Sequence, residues 1–247
     1  MWCWTSYNSI VKHFIWLIVN AIELKAIIVF SGGIDSVCTA AYLKRRYDLY
    51  GITFSYGQKA EKELQTARYF SKILKFCDHK VINIDFMKEL YQKTNALTYS
   101  KMRIPSEFNY SIVVPIRNAV FLSIASAWAF SKDAKLVAYG AHKDDQRYPD
   151  CRPRFSRLLT QALNEGEIDG IRYGLRKRIS IWSPFMGNLS KSNLLNIGHK
   201  LLGDKIFKTW SCYSHSKVQC GKCESCKNRK IAFHHAKIAD KTRYALE

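Results

Sequence analysis

The sequence predicts an α/β protein: a doubly wound parallel sheet followed by a small zinc-binding segment at the C-terminal end. Three observations carry that expectation. Short apolar runs of strand length alternate with amphipathic stretches of helical period along most of the 247 residues, the pattern a parallel sheet requires. The first run, Lys25–Phe30, is continuously rather than alternately apolar, as strands covered on both faces are. A Ser-Gly-Gly turn follows it directly, where ligand-binding loops of such sheets lie.

The elements follow in order. Residues 1–23 stand apart from the pattern. Phe14 to Ile22 is a short apolar run behind Lys12 and His13, with no small-residue cleavage site after it. It reads as an N-terminal extension or a mis-assigned start rather than a secretory signal. A nucleotide-binding domain is expected over 24–205 and the zinc segment over 206–247. After the strand Lys25–Phe30, Asp35 to Arg46 reads as a helix with Val37, Ala40, Ala41 and Leu43 inward. Leu49–Phe54 is a second strand. Lys59–Phe76 is an amphipathic helix, with Leu64, Ala67, Ile73 and Leu74 inward. Lys80–Ile84 is a third strand, and 86–114 an irregular insertion with a short helix. Ile116–Ser131 is an apolar helix and Lys135–Tyr139 a fourth strand. Arg154–Asn164 is a helix, Ile179–Ser183 a strand, and Ser190–Leu201 a helix with Ser190 as N-cap.

An apolar fraction of 47% is ample for a buried core. No 18 consecutive residues are apolar, so a membrane span is not expected. The net charge of +19 and pI near 9.6 admit a polyanion or macromolecular partner. The basic residues are scattered, however, and only Arg172, Arg176, Lys177 and Arg178 cluster, which favours compositional drift. Four of the eight cysteines fall between 212 and 226. That clustering points to a metal site in a reducing, cytoplasmic setting rather than to disulfides.

Phe30 ends the first strand and Ser31-Gly32-Gly33-Ile34-Asp35-Ser36 leads into the first helix. Paired glycines let backbone approach a ligand, and the helix-start amides and dipole favour an anion there. Ser31 and Ser36 add hydroxyl donors. Asp35 beside phosphate makes sense as a helix cap or a Mg²⁺ ligand. The Gly-Lys-Ser/Thr ending of the Walker loop and the dinucleotide Gly-x-Gly-x-x-Gly are both absent. Downstream, Cys212, Cys220, Cys223 and Cys226 are spaced to converge on one tetrahedral ion, with Gly221 allowing the turn. Four thiolates leave no open position, so the ion is expected to be structural Zn²⁺. An iron–sulfur cluster or a redox pair are the alternatives.

The loop resembles the pyrophosphate loop of the ATP pyrophosphatase superfamily, and loop and cysteines in this order resemble the 7-cyano-7-deazaguanine synthase family. The resemblance runs from about Lys25 to about Phe233. It rests further on Thr53–Gln58, on Val114-Pro115-Ile116-Arg117-Asn118 with Phe121-Leu122-Ser123, on Tyr148–Arg152, on Thr209–Tyr213, and on Arg229 and Ala232-Phe233 behind the cysteines. It implies an adenine-nucleotide α-hydrolase-like fold and an ATP-dependent ligase. The implied reaction converts 7-carboxy-7-deazaguanine and ammonia, through the amide, to 7-cyano-7-deazaguanine in a queuosine- or archaeosine-type pathway. ATP, Mg²⁺ and one Zn²⁺ would serve it. Phe30 to Ser36 would bind the nucleotide, with Ser31, Asp35, Ser36 and Arg117 as catalytic candidates. Tyr56, Gln58, Asp150 and Arg152 are the substrate-side candidates.

The segment Gly140 to Tyr148 is one residue shorter than the family pattern, the 1–23 extension and the large positive charge are atypical of it, and two positions depart from it. Ala60 stands where a histidine is usual and Arg147 where a glycine is common. With the charge, they motivate an alternative in which the enzyme stops at the amide or joins the acyl group to an amine of a protein or nucleic acid. A homodimer is also compatible with the sequence.

Overall fold

The computed structural model describes residues 24–91, 93–99 and 101–245; the extension expected at 1–23 lies outside them. Five strands form one parallel sheet in the order β3-β2-β1-β4-β5. They are β1 (Lys25–Val29), β2 (Asp48–Ser55), β3 (Asp78–Asn83), β4 (Leu136–Ala138) and β5 (Ser180–Trp182). The chain winds outward from β1 through β2 to β3, then returns to lay β4 on the other side of β1. The reversal opens a crevice at the carboxyl ends of β1 and β4, where ligands of open α/β sheets bind.

Both faces of the sheet are covered, as the continuous apolar run of β1 requires. Ile27 points to a core with Phe54, Leu122 and Val137. Ala26 and Ile28 point to the other, with Val37, Leu49, Phe70 and Leu195. The helices are α1 (Ile34–Leu43), α2 (Lys62–Ile73), α3 (Met87–Tyr91), α4 (Arg117–Lys132), α5 (Pro153–Gly166), α6 (Ile168–Arg172), α7 (Lys191–Leu202) and α8 (Glu224–Ala236).

Two boundaries moved for identifiable reasons. α2 starts at Lys62 rather than Lys59, because the Lys59 amide donates to the Leu97 carbonyl and Ala60 packs against Trp210. It ends at Ile73 rather than Phe76. Lys75 turns left-handed at φ 49 and the Phe76 amide reaches back to the Ser71 carbonyl, a Schellman-type stop. α6 and α8 were not read from the sequence at all. The stretch Tyr110–Lys132 is long and apolar enough to cross a membrane. Here α4 instead buries Phe121, Leu122, Ala125, Ala129 and Phe130 against the sheet, which explains its composition.

Candidate active site

The loop after β1 sits at the mouth of the crevice. Gly32 has φ +75, and a Cβ there would lie 2.5 Å from the Ala67 amide nitrogen, so the loop passes flush against α2. Gly33 takes the N-cap position of α1 in an extended conformation with no side-chain cap. The first-turn amides of α1 therefore remain available to a ligand. The two serines fold the loop into a cup. Ser31 Oγ and Ser36 Oγ are 3.3 Å apart, Gly33 N–H donates to Ser31 Oγ at 3.2 Å, and Ser36 Oγ donates to the Gly33 carbonyl at 3.0 Å. From behind, Trp210 N–H donates to the Gly32 carbonyl at 3.2 Å.

Asp35 is the most strongly paired carboxylate of the site. Lys191 Nζ, from the first turn of α7, lies 2.8 Å from Asp35 Oδ2, and His142 Nε2 lies 3.5 Å from Oδ1. Burial works to raise the Asp35 carboxyl, but Lys191 and His142 outweigh it and hold it well below the usual carboxylate range. His142 is itself buried, with Nδ1 3.4 Å from Asp145 Oδ2. Burial alone would depress it, and Asp145 and Asp35 raise it instead.

A cavity of about 270 Å³ extends from this loop. Its other end is formed by Tyr56, Arg117, Asp150 and Tyr213, with Glu63 and Glu224 in the wall. Arg117 donates to Tyr56 Oη at 3.2 Å and lies over the Tyr56 ring at 5.7 Å. Burial would lower its basicity, yet Tyr56, Tyr213 and Asp150 raise it, so Arg117 is a fixed cation. It is presented by Ile116, which holds a left-handed φ of 57 at the N-cap of α4. A β-branched residue there stores strain of about 1–3 kcal/mol, a feature that concentrates at functional sites. Burial pushes the Glu63 carboxyl up to about 7, with Arg117 opposing.

Of the nucleotide-side candidates, Phe30, Ser31, Gly33, Asp35 and Ser36 line the cavity. Gly32 and Ile34 support the loop from behind; Ile34 is a core residue at 1% exposure. On the substrate side, Tyr56, Asp150 and Arg117 line it. Gln58 and Arg152 do not join them. Gln58 is consumed by its own turn, accepting from Tyr56 N–H at 2.9 Å and donating to the Phe54 carbonyl at 3.1 Å. Arg152 is exposed and its Nε donates to the Gln146 carbonyl at 2.9 Å. Cys151 is buried and burial pushes its thiol up, which disfavours the thiolate a nucleophile requires. Sequence reasoning missed Glu63, Lys191, His142, Asp145 and Glu224. Lys191 had one signal, its place just inside the N-cap Ser190; the others had none beyond residue type.

The cysteines do converge. The Sγ atoms of Cys212, Cys220, Cys223 and Cys226 lie within 4.8 Å of one another. A tetrahedral Zn²⁺ with Zn–S bonds of about 2.3 Å needs sulfurs about 3.8 Å apart, and Cys220 and Cys226 stand at 3.9 Å. Amides of Cys220 and Ser214 point at Cys212 Sγ at 3.3 and 3.4 Å, and that of Cys223 at Cys220 Sγ at 3.4 Å, as thiolates require. The four-sulfur donor set thus fits a closed zinc site.

The model of the family "Queuosine biosynthesis protein QueC" matches residues 25–237, spanning both the loop and the cysteines. The chain belongs to the QueC family. It is 35% identical over 231 residues to 7-cyano-7-deazaguanine synthase of Caldicellulosiruptor saccharolyticus, covering 91% of this chain and 97% of the relative. It is 36% identical over 212 residues to the synthase of a Sulfurihydrogenibium species, covering 83% and 92%. The match to the Aquifex aeolicus synthase is 34% over 212 residues, covering 83% and 94%. Of the departures from the QueC pattern, Ala60 and Arg147 do not line the cavity, whereas the shortened segment does, through Gly140, Ala141, Asp145 and Tyr148. Ala60 is buried with Trp210 and the cysteines, and Arg147 lies over the Phe108 ring at 5.6 Å.

Proposed function

We propose that this chain is a 7-cyano-7-deazaguanine synthase that activates its substrate twice with ATP. The observation that carries the reading is the uncapped α1 amides and paired serines opening into one cavity whose far end offers aromatic rings, a fixed cation and carboxylates. A carboxylate resists ammonia because oxide is a poor leaving group. Its oxygen attacks the α-phosphorus of ATP, and pyrophosphate leaves. Ammonia attacks the acyl carbon, and AMP leaves to give the amide. The amide oxygen then attacks a second ATP with loss of a proton and pyrophosphate. Departure of AMP and the remaining N–H proton yields the nitrile.

The chain's part is positioning and charge. The Ser31–Ser36 cup and the α1 amides grip the pyrophosphate end. Lys191, now on Asp35, stands within the same wall to follow the departing pyrophosphate. Asp35, Glu63, Asp145, Asp150 and Glu224 line the cavity against only Arg117 and Lys191, so the triphosphate needs accompanying cations. Hard oxygen donors of this kind suit Mg²⁺, with Asp35 at the loop as its holder; the ion would supply charge neutralisation at the phosphates. Zn²⁺ on the four cysteines would supply structure alone. Free cysteines, including Cys38 and Cys77, and the thiolate cluster suit a reducing cytoplasm.

The test is a single incubation of purified protein with ATP, Mg²⁺, ammonium and 7-carboxy-7-deazaguanine, read by mass spectrometry. Nitrile with two AMP per product is expected. Amide alone, mass added to protein or RNA, or no AMP would each overturn the reading.

A further inference from the structure

One carboxylate of the cavity has no hydrogen-bond or ion-pair partner of its own among the described residues. Glu63 stands in the first turn of α2, half-buried in the wall beside Tyr56 and Arg117. The other acids of the cavity are already engaged. Asp35 is held by Lys191 at 2.8 Å, Asp145 accepts from the His142 amide at 2.9 Å, and Glu224 accepts from Asn228 Nδ2 at 2.6 Å. The Asp150 carboxylate is approached by the Cys151 thiol at 3.9 Å. The Glu63 side chain makes no hydrogen bond and no direct ion pair among the described residues; Arg117 acts on it only through the field. A carboxylate in a cavity wall without a donor is costly unless a ligand supplies one.

The guanine edge supplies what is missing. Its N1–H and exocyclic amine present two parallel donors, which suit the two oxygens of one carboxylate. The adjacent O6 is an acceptor, and an arginine is the usual partner for it. Tyr56 and Tyr213 line the same wall and add aromatic surface beside the ring. An adenine edge, with an acceptor at N1, meets the same carboxylate with repulsion. The two purines that must share the cavity would thus be told apart at Glu63.

Resting on the activity proposed above, we infer that Glu63 is the specificity-determining residue of the deazaguanine subsite, reading N1–H and the 2-amino group with Arg117 opposite O6.

The test compares kcat/KM for 7-carboxy-7-deazaguanine with that for its analogue lacking the 2-amino group. A site built around a hydrogen bond rejects the analogue lacking it, so wild type is expected to favour the guanine-type substrate by about 10²-fold or more. Glu63→Gln replaces one acceptor by a donor. It should cost about 10²-fold on the guanine-type substrate, mostly in KM, and much less on the analogue, compressing the preference toward unity. Glu63→Asp should recover part of the preference. KM for ATP and zinc content should stay at wild-type values in both variants, which separates recognition from misfolding. If wild type accepts both compounds equally, or if Glu63→Gln leaves the ratio intact, the assignment is wrong while the activity stands. If wild type consumes neither compound, the proposed activity fails and takes the assignment with it.

Discussion

At the residue scale, the loop end of the site is governed by the cations that Asp35 faces. Lys191 is buried to 13% side-chain exposure against Asp35, so its position is fixed before any nucleotide arrives. Lys191→Met should lower kcat/KM for ATP by about 10²- to 10³-fold, the usual cost of losing a preorganised charge at developing phosphate charge. Zinc content should not change. His142 adds a pH signature. Its imidazolium is favoured in the fold by Asp145 and Asp35 despite burial. The stabilisation is therefore complete below the ordinary histidine value of about 6.5 and is lost as pH rises through the higher folded value. Melting-temperature differences between wild type and His142→Gln should be largest below about pH 6.5 and shrink as pH rises above it; a flat difference would remove His142 from the Asp35 network. These partners were hidden in the sequence because Asp35, Lys191 and the turn that carries both His142 and Asp145 lie far apart along the chain. Only the β1–β4 switch point brings them together. Ser31 to Ser36 was legible because its whole chemistry is contiguous.

At the element scale, α7 matters because it delivers Lys191, and it approaches α1 unusually closely. A Cβ on Gly198 would stand 2.2 Å from Cys38 Sγ and 3.0 Å from Cys38 Cβ. Alanine is a better helix former than glycine by about 1 kcal/mol, but overpacking a tight contact costs about 1–3 kcal/mol. Gly198→Ala should therefore destabilise the protein, and Cys38→Ala should recover much of the loss in a double-mutant cycle by chemical denaturation. Additive effects would show that the two helices are free to part. Elements whose apolar spacing was regular, such as β1, β2 and α1, were readable for that reason. α8 was not. Its buried face carries Cys226, Arg229, Phe233 and Ala236 at helical spacing, yet an arginine and a metal-site cysteine on that face erase the apolar signature. Arg229 is tolerated there because Thr209, Ser211 and Thr242 accept its hydrogen bonds at 2.7 to 3.2 Å.

At the scale of the whole molecule, the four-cysteine segment is part of the cavity wall rather than an appendage. The first turn of α8 follows Cys223 and places Glu224, Ser225 and Asn228 in the cavity wall. Cys223→Ser should lower bound zinc from one per chain, reduce thermal stability, and raise KM for the deazaguanine more than KM for ATP. Unchanged zinc stoichiometry would contradict the ligand set. The convergence of the four cysteines was legible from their spacing, but the wall their segment shares with the Ser31–Ser36 loop was not. Spacing reports which ligands meet, not what their neighbours face.

The hydrogen bond from Trp210 N–H to the Gly32 carbonyl runs between those two regions. Because of it, a chain trimmed before Thr209 would lose more than a metal. The Ser31–Ser36 turn, proposed above as the nucleotide cradle, would be left without its backing, so no minimal ATPase should be obtainable by truncation. Engineers grafting this loop onto another scaffold would have to bring a surrogate strut with it.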